Sequence, residues 1–137
     1  MKAIKFVGDV FEIDFEDLER IVKKAGNKLR VIQLCSPSNP TGDILDTSTV
    51  VKIASLAHKH SKLHKRDVWL IVDQTYHRLT FGENTVPPTF PLYDESVIVS
   101  SFSKCIGLAG ERIGYIAVNP ASTKAKYLSR WLVNNND

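Results

Sequence analysis

The sequence predicts an α/β fold: three layers, a mostly parallel sheet with helices on both faces, and one antiparallel strand at residues 113–118. Three observations predict it. Apolar runs at 31–35, 68–72 and 97–100 alternate with stretches of helical periodicity. The later two runs are rich in β-branched residues on both faces, which suits a sheet covered on both sides. Each run is followed at once by a polar cluster, as in open α/β sheets whose ligands lie beyond the carboxyl ends of the strands.

Element by element, Asp14 is placed to cap a helix over 15–25, with Asp17 in its first turn, Ile13 and Leu18 as a hydrophobic staple, and Gly26 beyond its end. Leu18, Ile21, Val22 and Ala25 form its apolar stripe. After the strand at 31–35 comes a polar loop, then a second helix from about Thr47 to His60 that buries Val50, Val51, Ile53, Ala54 and Ala57. The basic segment Lys59–Arg66 closes it, where cations suit the helix dipole. Between the strands at 68–72 and 97–100, residues 81–93 carry Pro87, Pro88 and Pro91 and read as an irregular excursion. A parallel crossover needs a dozen or more residues and usually a helix. The stretch 102–111 is short and holds Gly107 and Gly110, so 113–118 is expected to return antiparallel. Asn119-Pro120 then starts a last helix, through about Val133, with Ala121, Ala125, Leu128 and Leu132 on its apolar face.

Composition narrows the function classes. A chain of 137 residues normally makes one domain around one core. The net charge of +3 is small and scattered, which argues against a nucleic-acid partner. No apolar run is long enough to span a membrane, and the first residues lack a signal-peptide pattern. Two cysteines, Cys35 and Cys105, form no disulfide framework, consistent with a reducing, cytoplasmic setting. His58, His60 and His64 sit among Lys59, Lys62, Lys65 and Arg66, whose field opposes a cation, so no metal site is expected.

The chemistry lies in three clusters. In Ser101–Arg112, reading SFSKCIGLAGER, Lys104 stands three places after one serine, one after another and eight before an arginine. A lysine amine is nucleophilic once deprotonated, and it forms a Schiff base with an aldehyde. Ser101, Ser103 and Arg112 are the hydroxyl and guanidinium donors that an adjacent phosphate ester needs. The second cluster is Ser36-Pro37-Ser38-Asn39-Pro40-Thr41-Gly42, and the third is Asp73-Gln74-Thr75-Tyr76. Singly, each has a plain structural reading: Asn-Pro-Thr-Gly is a common turn, Asp73 a strand-end cap, Tyr76 a packing residue and Lys104 a surface lysine. Their joint occurrence in this order, each behind a strand, is what carries information.

In that order the clusters resemble the class I/II aminotransferase family, the fold type I pyridoxal phosphate enzymes, from about Phe11 to Pro120. The resemblance implies pyridoxal 5'-phosphate as cofactor. It casts Lys104 as the lysine of the internal aldimine and proton shuttle, and Asp73 as the partner that keeps the pyridine nitrogen protonated. Tyr76 and Asn39 would hydrogen-bond the ring oxygen, and Ser101, Ser103 and Arg112 would anchor the phosphate. The Asn39-Pro40 bond resembles one that is often cis in relatives. The implied reaction passes an amino group between an amino acid and a 2-oxo acid. A carbon–sulfur lyase or synthase of the same fold, and a noncatalytic cofactor-binding domain, use nearly the same residues. The family's upstream phosphate-capping turn, ring-stacking aromatic and downstream carboxylate-binding arginine are not identifiable in this sequence. Residues 1–137 therefore read as the central part of a large cofactor-binding domain, a fragment expected to be inactive alone, from a protein expected to be a homodimer when intact.

Overall fold

A computed structural model describes residues 6–7 and 12–135. Its main sheet has four strands: β3 (Val31–Cys35), β4 (Trp69–Asp73), β5 (Ser96–Ser101) and β6 (Gly114–Val118). They lie side by side in that order, β3, β4 and β5 parallel and β6 antiparallel to β5. The expected return strand is thus present, beginning at Gly114, because the stretch behind β5 is too short for a crossover. A separate pair joins β1 (Phe6–Val7) to β2 (Glu12–Ile13).

Register decides which face is buried. Ile32 pairs with Leu70 and Leu34 with Val72, and these four point to one side, where they meet Leu18, Val22, Ile53, Ala54 and Ala57. Helices α1 (Phe15–Ala25) and α2 (Thr47–His64) supply those partners and cover that face. Val31, Gln33 and Ile71 alternate to the other face. There Val31 is 42% and Ile116 48% exposed, so among the described residues the second face is covered only in part.

The helix signals act as read. The Asp14 carboxylate accepts the Asp17 N–H at 2.9 Å, and Gly26 closes α1 at φ 52°. Helix α2 runs one turn past the expected His60, to His64, and ends on Lys65 in the left-handed region. The reason is His60 itself: it is buried, and its Nε2 lies 2.8 Å from the Gly26 carbonyl, which ties the last turns of α2 to the end of α1. Val51, expected in the core, is 41% exposed. The buried stripe of α2 is Val50, Ile53, Ala54, Ala57 and His60, and Val51 falls one residue, or about 100°, off it.

At the start of α2 the Asp46 carboxylate accepts the Thr49 N–H at 2.6 Å and the Ser48 hydroxyl at 3.0 Å. The Thr49 bonds first, then that of Ser48, hold its pKa below the ordinary 3.8. A carboxylate lowered in the folded state contributes stability above its unfolded pKa and loses it as pH falls through the folded value. The stability difference between the wild type and Asp46→Ala should therefore be larger at about pH 6 than at about pH 2. Urea midpoints at the two pH values check this; an equal difference at both would remove the carboxylate's charge from the account.

The last helix is a correction. Helix α4 spans Ala125–Asn134 and does not start at Asn119-Pro120. The Asn119 side chain accepts the Ala121 N–H at 3.0 Å and the Ser122 hydroxyl accepts the Lys124 N–H at 3.2 Å. Those local turns use the donors that a helical turn would have left for capping. Tyr127 and Trp131 on α4 are 74% and 51% exposed. No helix among the described residues is long and apolar enough to cross a membrane.

Candidate functional site

Cys35 pairs with Asp73, and Asp73 with Val99, so the ends of β3, β4 and β5 stand side by side at one rim. The ladder continues one step further, from the Ser36 N–H to the Asp73 carbonyl (3.0 Å) and from the Gln74 N–H to the Val99 carbonyl (2.8 Å). These bonds start the three polar clusters from one level. Neighbouring strands lie about 5 Å apart, so the clusters begin within about 10 Å of each other.

The loop behind β3 is closed by the Gly42 N–H on the Ser38 carbonyl and the Ser38 N–H on the Asp43 carbonyl, both 2.8 Å. Gly42 sits at φ 81°, a conformation open to glycine. Both Ser36-Pro37 and Asn39-Pro40 are cis, the second as the resemblance implies. The loop presents an exposed Asn39, whose Nδ2 donates to the Tyr76 hydroxyl at 3.4 Å.

Behind β4 the chain turns at once, with the His77 N–H on the Gln74 carbonyl (3.0 Å) and the Leu79 N–H on that of Tyr76 (2.8 Å). Asp73 and Tyr76 are both half-buried on this turn. The Asp73 Oδ1 accepts two hydrogen bonds, from the Thr75 N–H at 2.9 Å and the Thr75 hydroxyl at 2.7 Å. Thr75 had no role in the sequence analysis, although its signal was available: a hydroxyl two residues after a strand-end aspartate closes a local turn. Gln74 is buried, its carbonyl bonded by the Ser100 hydroxyl at 3.1 Å, which ties this turn to β5.

Ser101 is the last residue of β5, and a one-turn helix α3 (Phe102–Cys105) carries Ser103 and Lys104. Ser101 and Ser103 are half-buried, whereas Lys104 is exposed. The following loop turns at Gly107 (φ 71°) and Arg112 (φ 54°) and re-enters the sheet with the Phe102 N–H on the Ile113 carbonyl at 3.1 Å. Arg112 is exposed and donates to the Ala109 carbonyl of its own loop at 3.0 Å.

The structure thus joins Asn39 to Tyr76 directly, sets Asp73 on the same turn as Tyr76, and brings Ser101, Ser103 and Lys104 in from the neighbouring strand end. Among the described residues, no hydrogen bond or ion pair links Lys104 or Arg112 to Asp73. A cavity of about 290 Å³ opens beside this rim, between Gln74, His77, Thr80, Pro87, Thr89 and Ile98. None of the seven candidate residues lines it. In chemical terms the rim offers one carboxylate acceptor, a phenol, an amide, two serine hydroxyls, an amine and a guanidinium.

Comparison with known proteins bears on the family and the fold. The sequence model of the family described as aminotransferase class I and II matches residues 3–133. The histidinol-phosphate aminotransferase of Methanococcus aeolicus is 33% identical over 113 residues, covering 82% of this chain and 28% of that protein. The enzyme of the same name from Methanocaldococcus jannaschii is 31% identical over 117 residues, covering 85% and 29%. Among solved structures, an aminotransferase from Eubacterium rectale superposes with a TM-score of 0.87 at 29% identity, over 96% of this chain and 32% of that one. A pyridoxal phosphate-bound carbon–sulfur lyase from Staphylococcus hominis gives 0.77 at 21% identity, covering 95% and 32%, a likeness of fold. The chain spans less than a third of the length of each of these proteins.

Proposed function

The chain belongs to the class I and II aminotransferase family, and from that premise we propose that residues 1–137 are the central part of the family's pyridoxal phosphate-binding large domain. The intact protein transfers an amino group between an amino acid and a 2-oxo acid. A homodimeric assembly and a cytoplasmic location go with this reading.

The observation that carries it is the contact of Asn39 with Tyr76 one turn from Asp73, at the rim where Ser101 and Lys104 also emerge. The donor set fits the cofactor group by group. Both Thr75 bonds fall on the Asp73 Oδ1, which leaves Oδ2 for the N–H of a protonated pyridine. The Tyr76 hydroxyl and the Asn39 amide are donors for the ring oxygen, and two serine hydroxyls with a guanidinium suit a phosphate.

Bound pyridoxal phosphate supplies an aldehyde for an amine and a ring that withdraws electrons. The rest falls to the chain. The Asp73 carboxylate would accept the ring N–H and so keep the proton on nitrogen. Asn39 and Tyr76 would hydrogen-bond the ring oxygen. Ser101, Ser103 and Arg112 would bind the phosphate, for which Arg112 would have to give up its bond to the Ala109 carbonyl. The Lys104 Nζ is the group that would hold the cofactor at its aldehyde carbon and would move a proton at the substrate α-carbon. Lys104 is exposed in this span, so the enclosure that excludes water from the amine must come from the remaining length of the protein.

Trapping tests the proposal. The chain is incubated with pyridoxal phosphate, reduced with borohydride, and its labelled peptide mapped. A single pyridoxyl group on Lys104, lost in Lys104→Ala, is the expected result. Label scattered over surface lysines, unchanged by that substitution, would overturn it.

A further inference from the structure

We infer that Thr75 is a positioning residue: its hydroxyl sets the orientation of the Asp73 carboxylate toward the cofactor's ring nitrogen. The inference rests on the reading of Asp73 as that nitrogen's partner. The backbone of Asp73 is locked into the sheet, since its carbonyl accepts the Ser36 N–H and its neighbour Gln74 donates to Val99. Only the side-chain torsions remain free, and the last of them, at a carboxylate, is broad and roughly two-fold. One donor from the Thr75 backbone restrains only the distance of Oδ1 from that nitrogen, which leaves a range of paired side-chain torsions open. The hydroxyl, donating to the same oxygen at 2.7 Å from a different direction, removes that freedom. Bonds to an ionised acceptor are the strong ones, so the constraint is stiff. Thr75 is suited to the task because branching at Cβ restricts its own first torsion. With both local donors on Oδ1, the lone pairs of Oδ2 are held toward one direction, which is what an acceptor for a single ring N–H requires.

A threonine that merely closed the turn would leave the same structure and a different response to ligand. Dissociation constants are measured by absorbance titration for pyridoxal phosphate and for its benzenoid analogue, in which a C–H replaces the ring nitrogen and the aldehyde and phosphate are kept. The proteins are the wild type, Thr75→Val, Thr75→Ser and Asp73→Ala. Thr75→Val should weaken pyridoxal phosphate about tenfold, the worth of one hydrogen bond to a charged group, and leave the analogue unchanged. Thr75→Ser should restore most of the affinity. Equal binding of pyridoxal phosphate by the wild type and Thr75→Val would overturn the inference. So would equal weakening of both ligands, which marks a structural role. If the wild type and Asp73→Ala alike fail to distinguish the two ligands, the reading of Asp73 itself falls.

Discussion

Replacing Asn119 with alanine is expected to destabilise the fold by about 2–4 kcal/mol, because a buried donor set disappears while its acceptors stay. Asn119 is 2% exposed, and its Nδ2 donates to the Phe90 carbonyl (2.8 Å), the Tyr93 carbonyl (2.9 Å) and the Ser96 hydroxyl (3.3 Å). Its Oδ1 takes the Ala121 N–H. Not all of these partners are orphaned by the change. The Tyr93 carbonyl keeps the Ser96 hydroxyl at 2.5 Å, so the cost falls on the Phe90 carbonyl and the Ala121 N–H. Two groups that lose their partner, at about 1–3 kcal/mol each and partly relieved by water at the half-buried Phe90 and the exposed Ala121, give the stated range. Domains of this kind are stable by about 5–15 kcal/mol, so the loss is a large fraction. Urea unfolding followed by circular dichroism measures it. A loss under about 1 kcal/mol would mean that water replaces the amide at every partner.

The same network explains how the long connection from β4 to β5 holds together without a crossover helix. Tyr93 is buried, and its hydroxyl donates to the Val68 carbonyl at 2.8 Å, just before β4. Asn119, just after β6, then binds the backbone of Phe90 and Tyr93. Residues far apart in sequence thereby pin the end of this irregular segment through the Phe90 and Tyr93 carbonyls, and β5 is set beside β4 in the register that brings Ser101 to the rim.

The second large effect is expected at Gly114. A Cβ there would stand 2.7 Å from the Ser100 carbonyl oxygen, closer to backbone than a carbon can sit, with the Ser101 Cα in ordinary contact at 3.5 Å. Gly114 is the partner of Ser101 in the antiparallel pair, so the clash cannot be relieved by turning a side chain. Strand β6 lies at the sheet's edge and must shift outward. Gly114→Ala should cost about 1–3 kcal/mol, the usual range for forcing atoms into a packed site. It should also weaken the bond from the Phe102 N–H to the Ile113 carbonyl, which joins the start of the lysine-bearing turn to β6. Amide hydrogen exchange at Phe102 reports this directly, and unchanged protection there would show that the strand pair absorbs the methyl without moving.

These two residues mark the limit of what was legible in the chain. Asn119 was read as a helix start, since Asn-Pro before an amphipathic stretch is a local signal for one. Gly114 drew no comment, because a close approach of two backbones leaves no mark in the sequence of either strand. Val51 and the end of α2 failed for a related reason. Apolar periodicity says that a stripe exists, but the angle at which the helix meets the sheet decides which edge of the stripe is covered. Thr75 was overlooked because its partner is chosen by the turn that Asp73 begins.

What the sequence determined by itself was everything with a short-range cause: the caps at Asp14 and Gly26, the strands, the antiparallel return forced by too few residues for a crossover, and three polar clusters in family order, each behind a strand. Tertiary structure alone decided the rest: that Cys35, Asp73 and Val99 share one level, that Asn39 meets Tyr76, that both Thr75 donors reach one oxygen of Asp73, and that one sheet face stays partly open. Strand register is the physical reason. A strand's residues and their alternation are written locally, whereas which residue stands opposite which is fixed only when the core packs, and at this rim it is the pairing that assembles the site.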